Sequence, residues 1–443
     1  MIVVLSRGTR RCDSARGGSR SSPWSSHPCA VAEDLSPLEQ LGKQLFFDKN
    51  LSNPVGQACA SCHAPEVGFG GPDSAVSLQT AVYPGAAPGR FGNRKPPSAA
   101  YASFSPKREF DAKEQTWVGG QFWDGRLDDL VAQTKGPFLN PLEMNNASAA
   151  EVVAKVRTSD SRVLFAKVYG PQALNEASAD ETFDLIGRAI AAYETSREVN
   201  AFSSKFDAYL AGRATLTERE SRGLALFAGK ANCTACHPHQ PSADGTPPLF
   251  TDYSFDNVGA PWNVGNPFYR ADVAVNPEGA KYRDLGLGAA LKDAAHHGKV
   301  KVPTLRNVAK RPHPQFVKSY LHNGTFKNLQ DVVRFYNRRD KSPADFAPPD
   351  VEENVNHEEL GNLGLTAAEE DDVVAFLETL SDGHVASLPT ASPPTASQPE
   401  FPATAPPVAS RDRFRGIREV LRVERFRHDI LEEASRDRAV RRR

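Results

Sequence analysis

The stretch that most constrains this 443-residue chain is Cys59-Ala60-Ser61-Cys62-His63, because it recurs at Cys233-Thr234-Ala235-Cys236-His237. A single pair of cysteines two residues apart is compatible with zinc or with thiol redox chemistry. Two pairs could also share one structural zinc, but these stand far apart in sequence. Each is also followed at once by histidine, which zinc does not require. The spacing is the one covalent haem needs: two thioethers to the porphyrin vinyl groups and an adjacent imidazole for the iron. Two covalently bound haem c groups are therefore expected, one on Cys59, Cys62 and His63, the other on Cys233, Cys236 and His237. Cys12 and Cys29 have no histidine after them, and no role is expected for either.

Helix signals surround both motifs. Ser36-Pro37-Leu38-Glu39 is a capping box with proline at the first helical position, and Leu38, Leu41, Leu45 and Phe46 follow at helical spacing. Thr217-Glu218-Arg219-Glu220 repeats the box before Leu224, Leu226 and Phe227. Gly42-x-x-Leu45-Phe46 and Gly223-x-x-Leu226-Phe227 each stand upstream of a haem motif, so the chain reads as an internal duplication. Helices are also expected over 148–157, 180–200, 204–210 and 329–336. A last one is expected from the Thr366 capping box to Asp382-Gly383, while 68–97 reads as loop. The expected fold is mainly α: two cytochrome c-like helical domains, each with one covalent haem c, between disordered ends. The divisions fall at 1–33 (leader or disordered segment), 34–200 (N-terminal haem domain), 201–384 (C-terminal haem domain) and 385–443 (Pro-rich linker and Arg-rich tail).

Charge is unevenly spread. The net charge of −1 conceals +3 on residues 1–33 and +4 on 385–443, which leaves 34–384 at −8. An acidic body suits a basic redox partner and gives no support to nucleic-acid binding. No stretch reaches the roughly 18 consecutive apolar residues that a membrane-spanning helix needs. Covalent haem attachment implies export, and a periplasmic location is expected, although Ile2-Val3-Val4-Leu5 is short for a signal core. The tail 411–443 is a candidate amphipathic helix with Ile417, Val420 and Leu421, but reads more readily as a solvated extension.

Further motifs lie between and beyond the haem signals. They are Gly120-Gln121-Phe122-Trp123-Asp124-Gly125-Arg126, Gln133, Pro137, Pro141-Leu142-Glu143-Met144, Val302-Pro303-Thr304-Leu305-Arg306-Asn307-Val308, Tyr320-Leu321-His322-Asn323-Gly324 and Phe335-Tyr336. Together, over about 36–384, they resemble the bacterial di-haem cytochrome c peroxidase family, and its MauG-like branch most closely. The resemblance implies that the active haem is the N-terminal one, with Glu143 as its distal acid–base group and Gln133 lining the same pocket. It implies that Trp123 stands between the haems and carries electrons or holes. Arg306 and His322 are implied to contact propionates of the second haem, and Tyr336 to be its axial ligand beside His237. As bare residues, Glu143 is more readily a surface acid and Trp123 core; an Arg–carboxylate pair elsewhere for Arg306 and a core place for His322 are equally plausible; and for Tyr336 ligation is favoured over a packed aromatic on 329–336. The family's Arg-Asn-Pro-Pro pattern, whose Asn gives an oxygen to a calcium ion between the domains, stands here as Arg94-Lys95-Pro96-Pro97. Calcium is thus possible from the resemblance, but a lysine offers it no acceptor oxygen.

None of the eleven histidines falls between His63 and His237, and the two methionines are Met1 and Met144. The first haem is therefore expected to lack a distal His, and the second to lack a Met ligand. The reading is a periplasmic di-haem peroxidase that reduces hydrogen peroxide to water with electrons from a small cytochrome c or cupredoxin. A MauG-like oxidase modifying residues of a partner protein, and a di-haem electron carrier without peroxide chemistry, are the alternatives.

Overall fold

A computed structural model describes residues 34–174 and 178–385. The expected leader, Pro-rich linker and Arg-rich tail lie outside the described residues. In chain order the helices are α1 (Pro37–Phe47), α2 (Ser74–Gln79), α3 (Leu130–Leu139), α4 (Ala149–Thr158), α5 (Ser161–Tyr169) and α6 (Ala179–Thr195), then α7 (Lys205–Leu210), α8 (Glu218–Ala228), α9 (Leu287–Leu291), α10 (Leu329–Arg338) and α11 (Ala367–Glu378). Two antiparallel ribbons accompany them: β1 (Glu109–Asp111) with β2 (Thr116–Val118), and β3 (Phe255–Asp256) with β4 (Val300–Lys301). The chain is mainly helical, as its periodicity suggests.

Local chemistry decides where the helices start. Ser36, Ser178, Thr217 and Thr366 each accept from the backbone N–H three residues on, and the glutamate there accepts from the cap's own N–H. Where the helices end is decided by packing instead. The helix expected to reach residue 200 stops at Thr195, because the Asn200 side-chain amide turns back to the carbonyls of Glu194 and Ser196. The last helix stops at Glu378 rather than at Asp382, whose carboxylate accepts from Tyr101, Asn307 and Ser203. The stretch 68–97 is mostly loop but holds α2, capped by Asp73, which accepts from Ala75 N and Val76 N. Helix α3 carries Pro137 inside it, which is why its sequence does not read as helix.

Two apolar cores form. In the first, Leu41, Leu45 and Phe46 of α1 meet Ile186, Ile190 and Tyr193 of α6. In the second, Leu224 and Phe227 of α8 meet Val373, Phe376 and Leu377 of α11. The glycine of each repeated motif permits its crossing. A Cβ on Gly42 would run into the carbonyl of Ala189, and one on Gly223 into that of Asp372. The same device thus closes both helix pairs. The described residues nevertheless form one compact unit. Arg94 from the first half pairs with Asp284 from the second at 2.6 Å, Lys301 N–H donates to the Trp123 carbonyl, and Lys95 N–H donates to that of His322.

Candidate haem sites

Each attachment motif is a turn of 3₁₀ helix, Cys59–Ser61 and Cys233–Ala235, with the histidine N–H bonded back to the first cysteine's carbonyl. No disulfide joins the four motif cysteines among the described residues. Burial lifts Cys62 and Cys233 to about 12, so these thiols stay protonated and are not poised as nucleophilic thiolates. The imidazoles are held alike. His63 Nδ1 lies 3.1 Å from the Phe69 carbonyl, and His237 Nδ1 lies 2.7 Å from that of Phe250. A carbonyl only accepts, so Nδ1 carries the proton and Nε2 keeps its lone pair. Both phenylalanines have left-handed backbone, at φ 58° and 53°, a strained turn made twice to present a carbonyl to each ring. Burial lowers both imidazoles, His237 to about 4, which keeps them neutral at neutral pH.

Cys233, Cys236, His237 and Tyr336 line one cavity, together with Trp123 and His322. His322 is buried, burial pulls it down to about 4, and neither ring nitrogen has a hydrogen-bond partner. The Trp123 and His322 rings meet edge-on, their centroids 6.4 Å apart, and the indole N–H donates to the Lys95 carbonyl. These two residues occupy equivalent places in a second repeat. The segments Trp123-Asp124-Gly125-Arg126-Leu127 and His322-Asn323-Gly324-Thr325-Phe326 each close a β-bridge, Gln121 to Leu127 and Tyr320 to Phe326. Each has left-handed glycine at its third residue, and each leads into a capped helix, α3 after Asp129 and α10 after Asn328. The duplication therefore extends well beyond the haem motifs. The signal was present in Trp-Asp-Gly-x-Leu-x-Asp-Leu against His-Asn-Gly-x-Phe-x-Asn-Leu.

Glu143 follows α3 and is half-buried. Burial raises its carboxyl, against bonds from Asn140 and attraction from Arg126, and its charge bears on both Cys59 and Cys62. Glu143 and the first motif are thus close. Gln133 is half-buried on α3, and no hydrogen bond ties its side chain to that motif among the described residues. Tyr336 lies on α10, where burial and the nearby Cys236 raise its phenol, so ionising it calls for a cation at the oxygen. Arg306 lines the same cavity, and its guanidinium is held by protein partners. Its Nε donates to the Pro248 carbonyl at 2.6 Å, and its two terminal nitrogens hold Asp207 at 3.0 and 2.8 Å. It stacks over Phe202 at 4.4 Å and anchors the structure first of all. Glu194 was not foreseen. It is buried at 6% exposure on α6, is lifted by burial to about 8, and its charge bears on Cys59. Its place four residues after Ile190, on the apolar stripe of α6, is the signal that could have revealed it.

Over residues 36–215 the chain matches the family model described as di-haem cytochrome c peroxidase. It is 34% identical over 371 residues to the methylamine utilization protein MauG of Paracoccus denitrificans (strain Pd 1222), an overlap of 80% of this chain and 91% of that protein. The chain belongs to the di-haem cytochrome c peroxidase family. To the cytochrome c551 peroxidase of Nitrosomonas europaea it is 29% identical, over 86% of this chain and 87% of that one. The fold is similar to that of the diheme peroxidase BthA from Burkholderia thailandensis E264. The TM-score is 0.66 at 36% identity, over 80% of this chain and 88% of that chain. Membership implies haem c, and the residues of this di-haem family member fit it: paired thiols held protonated by burial, an imidazole kept neutral beside each pair, and orphaned His322 nitrogens in the second cavity. No helix among the described residues is long and apolar enough to cross a membrane.

Proposed function

We propose that this chain is a periplasmic di-haem c peroxidase, with two covalent haems, that reduces hydrogen peroxide to water at its first site. Electrons enter through the second site from a small redox protein. The observation that carries the reading is Glu143, a partly buried carboxyl raised by burial and close enough for its charge to bear on both Cys59 and Cys62. Bound haem supplies the electrons and the Lewis-acidic iron that reductive cleavage of peroxide needs. Cleaving the O–O bond also needs a proton moved from the near oxygen to the departing one, and Glu143 is the group that relays it. Its raised pKa matches this task, since a carboxyl closer to neutrality accepts and returns a proton with less penalty. No histidine lies between His63 and His237 to compete for the place where peroxide enters. Trp123 and His322, edge to edge beside the second cavity, bridge the two sites for electron transfer.

A MauG-like oxidation of residues on a partner protein is the second reading. Tyr336, lining the cavity with His237, favours it, because a hard oxygen ligand stabilises higher oxidation states than a thioether does. Replacing Glu143 by Gln tests the proton relay. The variant should keep both haem spectra and lose peroxide turnover by a factor of about 10² to 10⁴. Unchanged turnover with reduced cytochrome c as donor would remove Glu143 from the mechanism.

A further inference from the structure

Three lysines line the cavity of the second haem site, and none has a carboxylate in ion-pair contact among the described residues. Lys318 satisfies its ammonium on the carbonyls of Val67, Asn307 and Lys310, at 3.0, 2.7 and 3.2 Å. Lys301 bonds to Ser105 Oγ and to the Gly120 carbonyl. The Lys95 ammonium makes a single hydrogen bond, to the adjacent Pro96 carbonyl at 3.2 Å, and stands 5.7 Å from the centre of the Trp123 ring. Burial pulls its ammonium down to about 8, and nothing resolved offsets that effect. Its charge also reaches the first site, where it disfavours protonation of His63. Lys95 is therefore a cation placed between the two haem sites with N–H groups to spare.

An ammonium held half-buried in such a place, with no carboxylate beside it, is costly unless an anion joins it. The anions that two haems bring are their propionates. Calcium, which the resemblance implies at the Arg94-Lys95-Pro96-Pro97 turn, does not fit the side chain present. An ammonium has three donors and no lone pair to give a metal, and it repels a divalent cation. We propose that Lys95 is a tethered cation that takes the place of a calcium ion between the haem sites and fixes their charge balance through the haem carboxylates. The proposal rests on the two-haem reading and not on the peroxide chemistry.

The test uses full-length protein loaded with haem, its two haem increments confirmed by mass. Exhaustive dialysis against EDTA, followed by calcium chloride, should leave the electron paramagnetic resonance spectrum and both haem midpoint potentials unmoved. Elemental analysis before dialysis should find no stoichiometric calcium. Removing a positive charge near iron favours the ferric state, so Lys95→Met should lower at least one midpoint potential, while Lys95→Arg should hold both. Lys95→Asn, which restores an amide oxygen, should make the spectrum respond to calcium. Stoichiometric calcium in the unaltered protein, or a spectral change on adding EDTA, overturns the proposal, and so do unmoved potentials in a haem-loaded Lys95→Met protein. The EDTA arm decides even if that variant fails to load haem. None of these readouts requires turnover, so they stand apart from the fate of the peroxidase reading.

Discussion

At the scale of single residues, burial sets the chemistry of the first site. Glu194 has an ordinary carboxyl value of 4.5 and is lifted to about 8 in the folded protein. Its neutral form is therefore the one the fold prefers. Stability should be unaffected by it below about pH 4.5, fall as pH rises from there to about 8, and level off above. Glu194→Gln keeps the neutral shape and should remove that decline, gaining roughly 2–4 kcal/mol on the unaltered protein at pH 8 and little at pH 4.5. Guanidinium unfolding of the haem-loaded proteins at the two pH values measures this, and a pH-independent difference would refute it. Tyr336 works in the opposite direction: its buried phenol is hard to ionise until a metal cation meets the oxygen. Tyr336→Phe should turn the low-spin ferric signal of the second haem into a high-spin one and open that iron to small ligands. An unaltered low-spin signal would mean that some other group is the axial ligand.

At the scale of elements, the paired helices are built around their glycines. In a free helix Gly→Ala is favourable by about 1 kcal/mol. At Gly223 the new methyl would meet the Asp372 backbone carbonyl, which cannot rotate away as a side chain could, and Gly42 faces Ala189 in the same manner. Overpacking of this kind costs about 1–3 kcal/mol, so the clash outweighs the propensity. Gly223→Ala and Gly42→Ala should each lower the unfolding midpoint of the haem-loaded protein, and a rise in either would show that the helices slide apart without penalty. The starts of α1, α6, α8 and α11 were open to sequence reading because a capping box closes within four residues. Helix α3 was hidden by Pro137, and the end of α6 by Asn200, whose amide reaches back to carbonyls that periodicity alone assigns to a longer helix.

At the scale of the whole molecule, the two halves share their charged and aromatic groups. Protein matured in a periplasm should show two haem increments by mass that survive acid–acetone extraction, and a single increment would defeat the di-haem reading. The resting ferric protein should react with peroxide without prior reduction, since no histidine stands between His63 and His237. A resting spectrum with two low-spin signals and no high-spin one would show that a residue from the second half closes the first site. What the sequence determined by itself is what short-range chemistry encodes: two Cys-x-x-Cys-His motifs, helix starts at capping boxes, and a duplication visible in Gly-x-x-Leu-Phe. The tertiary structure alone decided which distant groups meet. It set Trp123 against His322, turned Arg306 to Asp207, buried Glu194 near Cys59, and left the Lys95 ammonium between the sites with one hydrogen bond. Those outcomes depend on burial and on partners up to some two hundred residues away, and charge in a desolvated place is governed by what surrounds it rather than by its neighbours in the chain.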